Sequence, residues 1–261
     1  MTARSDLPLR AATGLALIAI ALVALVLGGI PFWILAVVAA LIMMAEWGSL
    51  HSAPRREKRI AQFALCVPLA LTAPASLILE TRDFFTLGLF AGAAFFVVIV
   101  TQRRHLALGI LYCGLPVMAL MLIRRQQEGL VFAAWALALV WVTDIGAYFA
   151  GRTIGGPKLA PAISPNKTWA GLIGGVAAAG VFGAVMHSGY GLPLRLTLAS
   201  PALAVVAQAG DLYESWLKRR AGVKDSGTIL PGHGGVMDRL DGLVTVAPVA
   251  AFLVVLPHFY R

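Results

Sequence analysis

The chain has 261 residues, 59% of them hydrophobic and 13% charged, with a mean hydropathy of +0.84. Ordinary soluble domains carry about 25% charged and about 45–50% apolar residues, so this composition excludes a soluble globular domain. The formal charge of +9 raises nucleic acid as a partner, but the basic residues lie between apolar runs, where membrane topology already accounts for them.

The apolar residues fall in runs of roughly 17–22, about the length a helix needs to cross the ~30 Å hydrocarbon core. They predict spans over 11–29, 32–50, 61–79, 84–101, 105–123, 129–150, 168–187, 193–213 and 242–259. The expected fold is therefore all-α: a polytopic integral membrane helical bundle of about nine transmembrane helices. The first run alone reads as a signal peptide, but such runs recur to the C-terminus, so its cleavage would change little. Cys66 and Cys113 lie inside apolar runs, with no CxxC or Cys/His cluster, which argues against zinc and disulfide frameworks. The seventh run is rich in Gly and Ala, which let helix backbones approach closely, and is expected inside the bundle. The organisation divides at 128/129. Residues 1–128 form a scaffold of helices facing lipid, and residues 129–261 form a catalytic half with loops 151–167 and 214–241.

Lys and Arg set the orientation. If all nine runs cross, 16 of the 21 basic residues share the side of the N-terminus. Only Arg82, Arg124, Arg125, Arg195 and Arg261 fall on the other. That bias puts the N-terminus in the cytoplasm, with Arg124–Arg125 as the one dissent.

After Glu128 the chain has six carboxylates: Asp144, Asp211, Glu214, Asp225, Asp238 and Asp241. In this orientation all gather on the cytoplasmic face. A carboxylate at helix-centre depth costs about 2.5–3.5 kcal/mol, so it faces a polar cavity or a partner. Asp144 alone is also explained by pairing with a neighbouring Arg, whereas six on one side are not. Asp211, Glu214, Ser215 and Lys218 follow i, i+3, i+4, i+7 and share a helix face. Asp238 and Asp241 are likewise i, i+3. Carboxylates at such spacing suit Mg²⁺, which takes one or two of them and completes its shell with water and substrate phosphates. Mg²⁺ among Lys, Arg and Gly on a cytoplasmic face is equipment for phosphoryl chemistry.

The loops point the same way. Residues 151–168 supply glycines, Lys158 and Lys167, and a Ser164-Pro165 turn. Gly lets backbone N–H groups approach a phosphate, and Lys adds point charge. Ser164 and Thr168 serve equally well as caps of the seventh span. Downstream, Pro231-Gly232-His233-Gly234-Gly235 leads into the Asp238/Asp241 pair. Those glycines and His233 suit a plain turn, but a plain turn does not explain the acidic pair that follows.

These residues carry a resemblance. Ser215-Trp216-Leu217-Lys218-Arg219, then Lys224-Asp225-Ser226-Gly227, then Leu230-Pro231-Gly232-His233-Gly234-Gly235-Val236-Met237-Asp238-Arg239-Leu240-Asp241 resembles the signature of phosphatidate cytidylyltransferases (CDP-diacylglycerol synthases). Thr143-Asp144, Ala147-Tyr148, Gly151-Arg152, Lys158 to Pro161, Ile163 to Pro165 and Lys167-Thr168 look like that family's other recurring block. Glu46-Trp47 resembles a pair common near its N-terminal spans. The chain departs from the pattern at Ala170, where the family often has Glu, and at Ile145, where it often has Thr or Ser.

The resemblance implies that phosphatidate and CTP give CDP-diacylglycerol and pyrophosphate with Mg²⁺. The nucleophile would be the lipid phosphate, so no Ser-His-Asp triad is needed, and none is found. Asp211 and Asp238 would hold the metal, with Asp241 and Asp144 beside it. Lys218, Arg219, Lys224 and Arg239 would bind phosphates, with Asp225 in the same catalytic set. His233 would donate to phosphate, and Gly234 and Gly235 would admit the nucleotide. Tyr148, Lys158, Ser164, Lys167, Thr168 and Ser215 would line the substrates. The expected setting is a bacterial inner membrane, with the site facing the cytoplasm and lipid entering sideways from the bilayer. A second cation and a homodimer are left open. A CTP-dependent lipid kinase or a cytidylyltransferase for another lipid is the nearest rival. A CDP-alcohol phosphotransferase fails, because Asp241-Gly242 continues into LVTVAPVAA. A transporter would place its carboxylates near the midplane rather than at one face.

Overall fold

The structure is a computed structural model of the protein and describes residues 6–74, 83–230 and 232–259. Residues 75–79 of the third expected span, Pro231, and Arg4, Arg82 and Arg261 of the charge map lie outside them. The described helices are α1 (Asp6–Leu27), α2 (Gly29–Leu50), α3 (Arg55–Leu71), α4 (Asp83–Thr101), α5 (Arg104–Arg124), α6 (Gly129–Thr153), α7 (Trp169–Tyr190), α8 (Leu194–Arg220) and α9 (Met237–Val255).

Each predicted span has its helix, but they differ in membrane character. Five helices are long and apolar enough to cross a membrane: α2, Phe84–Thr101 of α4, α5, α6 and α7. In α3, α8 and α9 polar ends take up part of the length, at Arg55–Arg59, Asp211–Arg220 and Asp238–Asp241. Between α6 and α7 lies a hairpin absent from the all-α expectation. Strand β1 (Lys158–Ala160) pairs antiparallel with β2 (Ser164–Thr168), Lys158 opposite Thr168 and Ala160 opposite Ser164. Strands this short leave no readable alternation.

The chain forms two compact units. The first comprises residues 1–121 together with 220–240, and the second 122–219 together with 241–261. The loop 214–241, placed by sequence in the C-terminal half, is therefore divided, and most of it clusters with the N-terminal helices.

In the first unit α1, α2, α3 and α4 pack in sequence order. Trp47 and Met44 of α2 are buried with Leu65, Leu69, Phe90, Leu106 and Ile110. Trp47 Nε1 donates to the His105 carbonyl at 2.7 Å, and the rings of His51 and His105 stack at 4.8 Å. Arg103 pairs with Glu57, and Lys58 Nζ donates to Ser49 Oγ at 2.8 Å. The α2–α3 and α4–α5 connections thus meet on one side.

In the second unit α6 and α7 meet along a seam of small residues. A Cβ on Gly174 would overlap that of Ala150, and one on Gly146 would stand 2.5 Å from the Ala178 Cβ. Gly175 abuts Thr143, and Gly171 abuts Ala147 and Gly151. This is small-residue packing, in which dispersion between near-touching backbones replaces a hydrophobic drive that lipid cannot supply. The expected burial of the seventh span holds only along this seam, because Ile173, Val181 and Val185 on α7 are exposed. Serine and threonine tie α8 to its neighbours: Trp135 Nε1 donates to Ser200 Oγ at 3.0 Å, and Thr245 Oγ1 to the Val206 carbonyl at 3.1 Å.

Gly174→Ala is expected to cost about 1–3 kcal/mol, the usual penalty for overpacking a tight contact. Gly189→Ala on the same helix meets nothing within 4 Å and serves as the control. Thermal unfolding of both variants in detergent checks this, and equal melting temperatures would remove the seam's claimed role.

Candidate active site

In the second unit three helices bring carboxylates together. Asp144 lies in the second half of α6, Asp211 in the second half of α8, and Asp241 in the first turns of α9. Asp144 and Asp241 each interact electrostatically with Asp211 and with Lys167. Lys167 comes from β2, one residue before Thr168. Thr168 caps α7 by accepting from the Gly171 N–H at 3.0 Å. The cap and the hairpin together fix where the lysine emerges.

Lys167 is the hub of the cluster. Its ammonium pairs with Asp211 Oδ2 and donates to Gln208 Oε1 at 3.1 Å. Gln208 is buried at 5% exposure, and its Nε2 donates to Asp144 Oδ1 at 3.0 Å. One amide therefore relays between the lysine and a second carboxylate, with both of its ends used. Ser215 Oγ donates to Asp211 Oδ1 at 3.3 Å. Asp241 Oδ1 accepts from the Gly242 N–H at 2.7 Å. Gln208 was invisible to the sequence reading, since a lone glutamine in an apolar run carries no pattern.

The other expected residues of this unit lie around the cluster. Lys218 pairs with Glu214 at 3.2 Å, one turn along α8, and Arg219 Nε donates to the Ile163 carbonyl at 3.4 Å. Ser164 belongs to β2 rather than to a cap, and Lys158 starts β1 with its side chain exposed. Tyr148 faces outward on α6, where its hydroxyl accepts from Arg152 at 2.9 Å.

In the first unit the signature loop is organised by Asp238. Its Oδ2 accepts from the Ser226 N–H at 2.8 Å, the Ser226 hydroxyl at 3.0 Å and the Gly235 N–H at 2.8 Å. Gly234, at φ +80°, lies in the left-handed region, and a Cβ there would stand 2.8 Å from that same oxygen. Asp225 flanks Gly234. His233 turns its Nδ1 to Thr13 Oγ1 at 3.1 Å, a partner on α1 that no sequence motif announced. Lys224 and Arg239 are exposed. Glu46, read from sequence only as half of a familiar pair, is buried at 4% and accepts from Ser226, Val236 and Met237.

Asp144, Asp211 and Asp241 offer hard anionic oxygens on helices, Asp211 held by Lys167, Asp144 by Gln208 and Asp241 by the Gly242 N–H. Among the described residues no three His, Cys, Asp or Glu side chains are close enough to share one ion. Mg²⁺ asks for only one or two protein carboxylates, so the residues fit it with water and phosphate completing the shell.

The model of the "Cytidylyltransferase family" matches residues 8–256. The phosphatidate cytidylyltransferase of Brucella suis biovar 1 is 42% identical over 257 residues, covering 93% of this chain and 91% of its own. That of Brucella abortus biovar 1 gives the same figures. The phosphatidate cytidylyltransferase of Bacillus subtilis is 46% identical over 134 residues, half of each chain. With a family match along nearly its whole length and relatives this similar, the chain belongs to the cytidylyltransferase family.

Proposed function

We infer that this protein transfers CMP from CTP to phosphatidate, giving CDP-diacylglycerol and pyrophosphate in phospholipid biosynthesis. The end-to-end likeness to the Brucella phosphatidate cytidylyltransferases carries this reading. The cluster at Asp144, Lys167, Gln208, Asp211 and Asp241 gives it a chemical basis.

An oxygen of the lipid phosphate bonds to the α-phosphorus of CTP, and the bond from that phosphorus to the bridging oxygen of pyrophosphate breaks. The nucleophile is already an anion at neutral pH, so no general base is required. What the protein must supply is alignment and neutralisation of charge. Lys167, Lys218 and Arg219 in the second unit, and Lys224 and Arg239 in the first, are the cations suited to phosphate. Asp211, with Asp144 and Asp241 beside it in the second unit, would hold Mg²⁺; for Asp238, in the first unit, a metal role rests on the resemblance alone. When bound, that ion supplies Lewis-acid neutralisation of phosphate oxygens. Ser215 orients Asp211, and Gln208 orients Asp144.

The same reading extends to topology. Within the first unit the α2–α3 and α4–α5 connections meet on one side. Within the second, the ends of α6 and α8 and the start of α9 surround Lys167. Both patterns support helices that alternate in direction; the side on which most Lys and Arg gather supports nine crossings with the N-terminus in the cytoplasm and a site on the cytoplasmic face of a bacterial inner membrane.

Purified protein given Mg²⁺, phosphatidate and CTP labelled at the α-phosphate is expected to put the label into lipid. CTP labelled at the γ-phosphate is expected to release it as pyrophosphate. Lipid labelled only by the γ-phosphate would mean a kinase and overturn the reading.

A further inference from the structure

Glu46 sits in an expensive place. It is a carboxyl at 4% exposure in the last turns of the apolar helix α2, four residues before Leu50. Burial disfavours its charge, and the negative end of the helix dipole is the wrong end for an acid. The signature loop offsets both costs. Oε1 accepts from the Val236 N–H at 2.9 Å, and Oε2 accepts from the Met237 N–H at 2.8 Å and the Ser226 hydroxyl at 3.0 Å.

Two of those donors have a particular meaning. Val236 and Met237 are the residues on which α9 begins. The first N–H groups of a helix have no partner within it and are usually capped by a side chain just upstream. Here the cap comes from another helix, 190 residues away in sequence. The loop's composition matches. A Cβ on Gly227 or on Gly235 would stand 2.6 Å from Glu46 Oε1, so both positions need glycine for the carboxyl to reach the backbone. Ser226 extends the clamp, because its hydroxyl lies 3.0 Å from both Glu46 Oε2 and Asp238 Oδ2. It has one proton for two carboxylate oxygens, so Glu46, Ser226 and Asp238 act as a single linked group.

We propose that Glu46 is a positioning residue for nucleotide binding: by capping α9 from α2, it fixes the loop Ser226–Met237 in the form that presents the signature to CTP. This rests on the cytidylyltransferase reading for what the loop binds, and on geometry alone for the clamp. Glu46 touches no substrate in this role.

Glu46→Gln is the sharp variant. It keeps size and removes charge, but whichever way the amide turns, its NH₂ faces a backbone N–H that needs an acceptor. In full-length protein in phospholipid vesicles, KM for CTP is expected to rise about tenfold or more, with KM for phosphatidate within twofold of wild type. Glu46→Asp keeps two acceptors on a shorter arm and should recover part of that loss. Independently of turnover, amide exchange in a peptide covering 226–240 should accelerate about 100-fold in Glu46→Gln, while peptides from α3 and α4 are unchanged. If Glu46→Gln fails to insert, Ser226→Ala decides, with the same CTP-selective change at about threefold. Unchanged constants, or a fall in kcat that tracks folded protein with both KM values constant, would overturn the proposal. Absence of turnover in the wild type would sink the cytidylyltransferase reading instead, and the exchange data would still decide the clamp.

Discussion

Asp211→Ala is expected to lower turnover by on the order of 1,000-fold or more, about 4 kcal/mol of transition-state stabilisation. Among the described residues Asp211 is the carboxylate that pairs directly with Lys167, and both Asp144 and Asp241 feel its charge. Removing it leaves Lys167 without its ion-pair partner and Ser215 without its acceptor. The residue lies toward the polar end of α8, among Glu214, Lys218 and Arg219, so insertion of the apolar part of the helix should not change. Pyrophosphate release measured on membrane-inserted protein checks this. Activity within tenfold of wild type would remove Asp211 from the metal assignment. Asp211→Asn separates charge from shape: its carbonyl oxygen can still face Lys167 while its amide donates to the Ser215 hydroxyl, so a loss as deep as that of Asp211→Ala would assign the effect to charge.

Asp238→Ala is expected to be comparably damaging, for a reason that has two parts. One oxygen of Asp238 gathers three donors from Ser226 and Gly235, so truncation takes the acceptor from the Ser226 and Gly235 N–H groups, leaves the Ser226 hydroxyl to Glu46 alone and loosens the loop. The resemblance adds a second duty, a share in holding Mg²⁺. Asp238→Asn distinguishes them. Its carbonyl oxygen can take the place of Oδ2 in the loop, while its amide is a poor ligand for a hard cation. A loss of 100-fold or more in Asp238→Asn, relieved in part by raised Mg²⁺, is the expected result. If Asp238→Asn is near wild type while Asp238→Ala is inactive, the carboxylate serves the loop alone.

The helices were readable because hydropathy is a property of long windows, and a 20-residue run carries its own answer. The acidic cluster was readable because charge is rare in such a chain, so each late carboxylate stood out against an apolar background. The hairpin at Lys158–Thr168 was missed for the opposite reason, since three residues of strand among prolines and glycines produce no period. Gln208 and Thr13 were missed because each matters only through distant partners, Lys167 and Asp144 for the one and His233 for the other, and a single sequence holds no record of such pairs. The two-part grouping of the chain was hidden in the same way. Nothing near Ser226 or Val236 indicates that a glutamate 180 or more residues earlier holds them.

The seam between α6 and α7 bears on how the protein meets bilayers of different thickness. A helix that is too long or too short for its membrane usually tilts, at a modest cost per ångström of mismatch. Helices separated by long side chains can do so independently. Gly146, Gly171, Gly174 and Gly175 leave no such cushion, so α6 and α7 must tilt together. Asp144 stands on α6 between two of the contacting residues, Thr143 and Gly146. Its angular setting is therefore keyed to α7, the helix that Lys167 and Thr168 lead into, and the spacing of that carboxylate and that lysine is insulated from the thickness of the surrounding lipid.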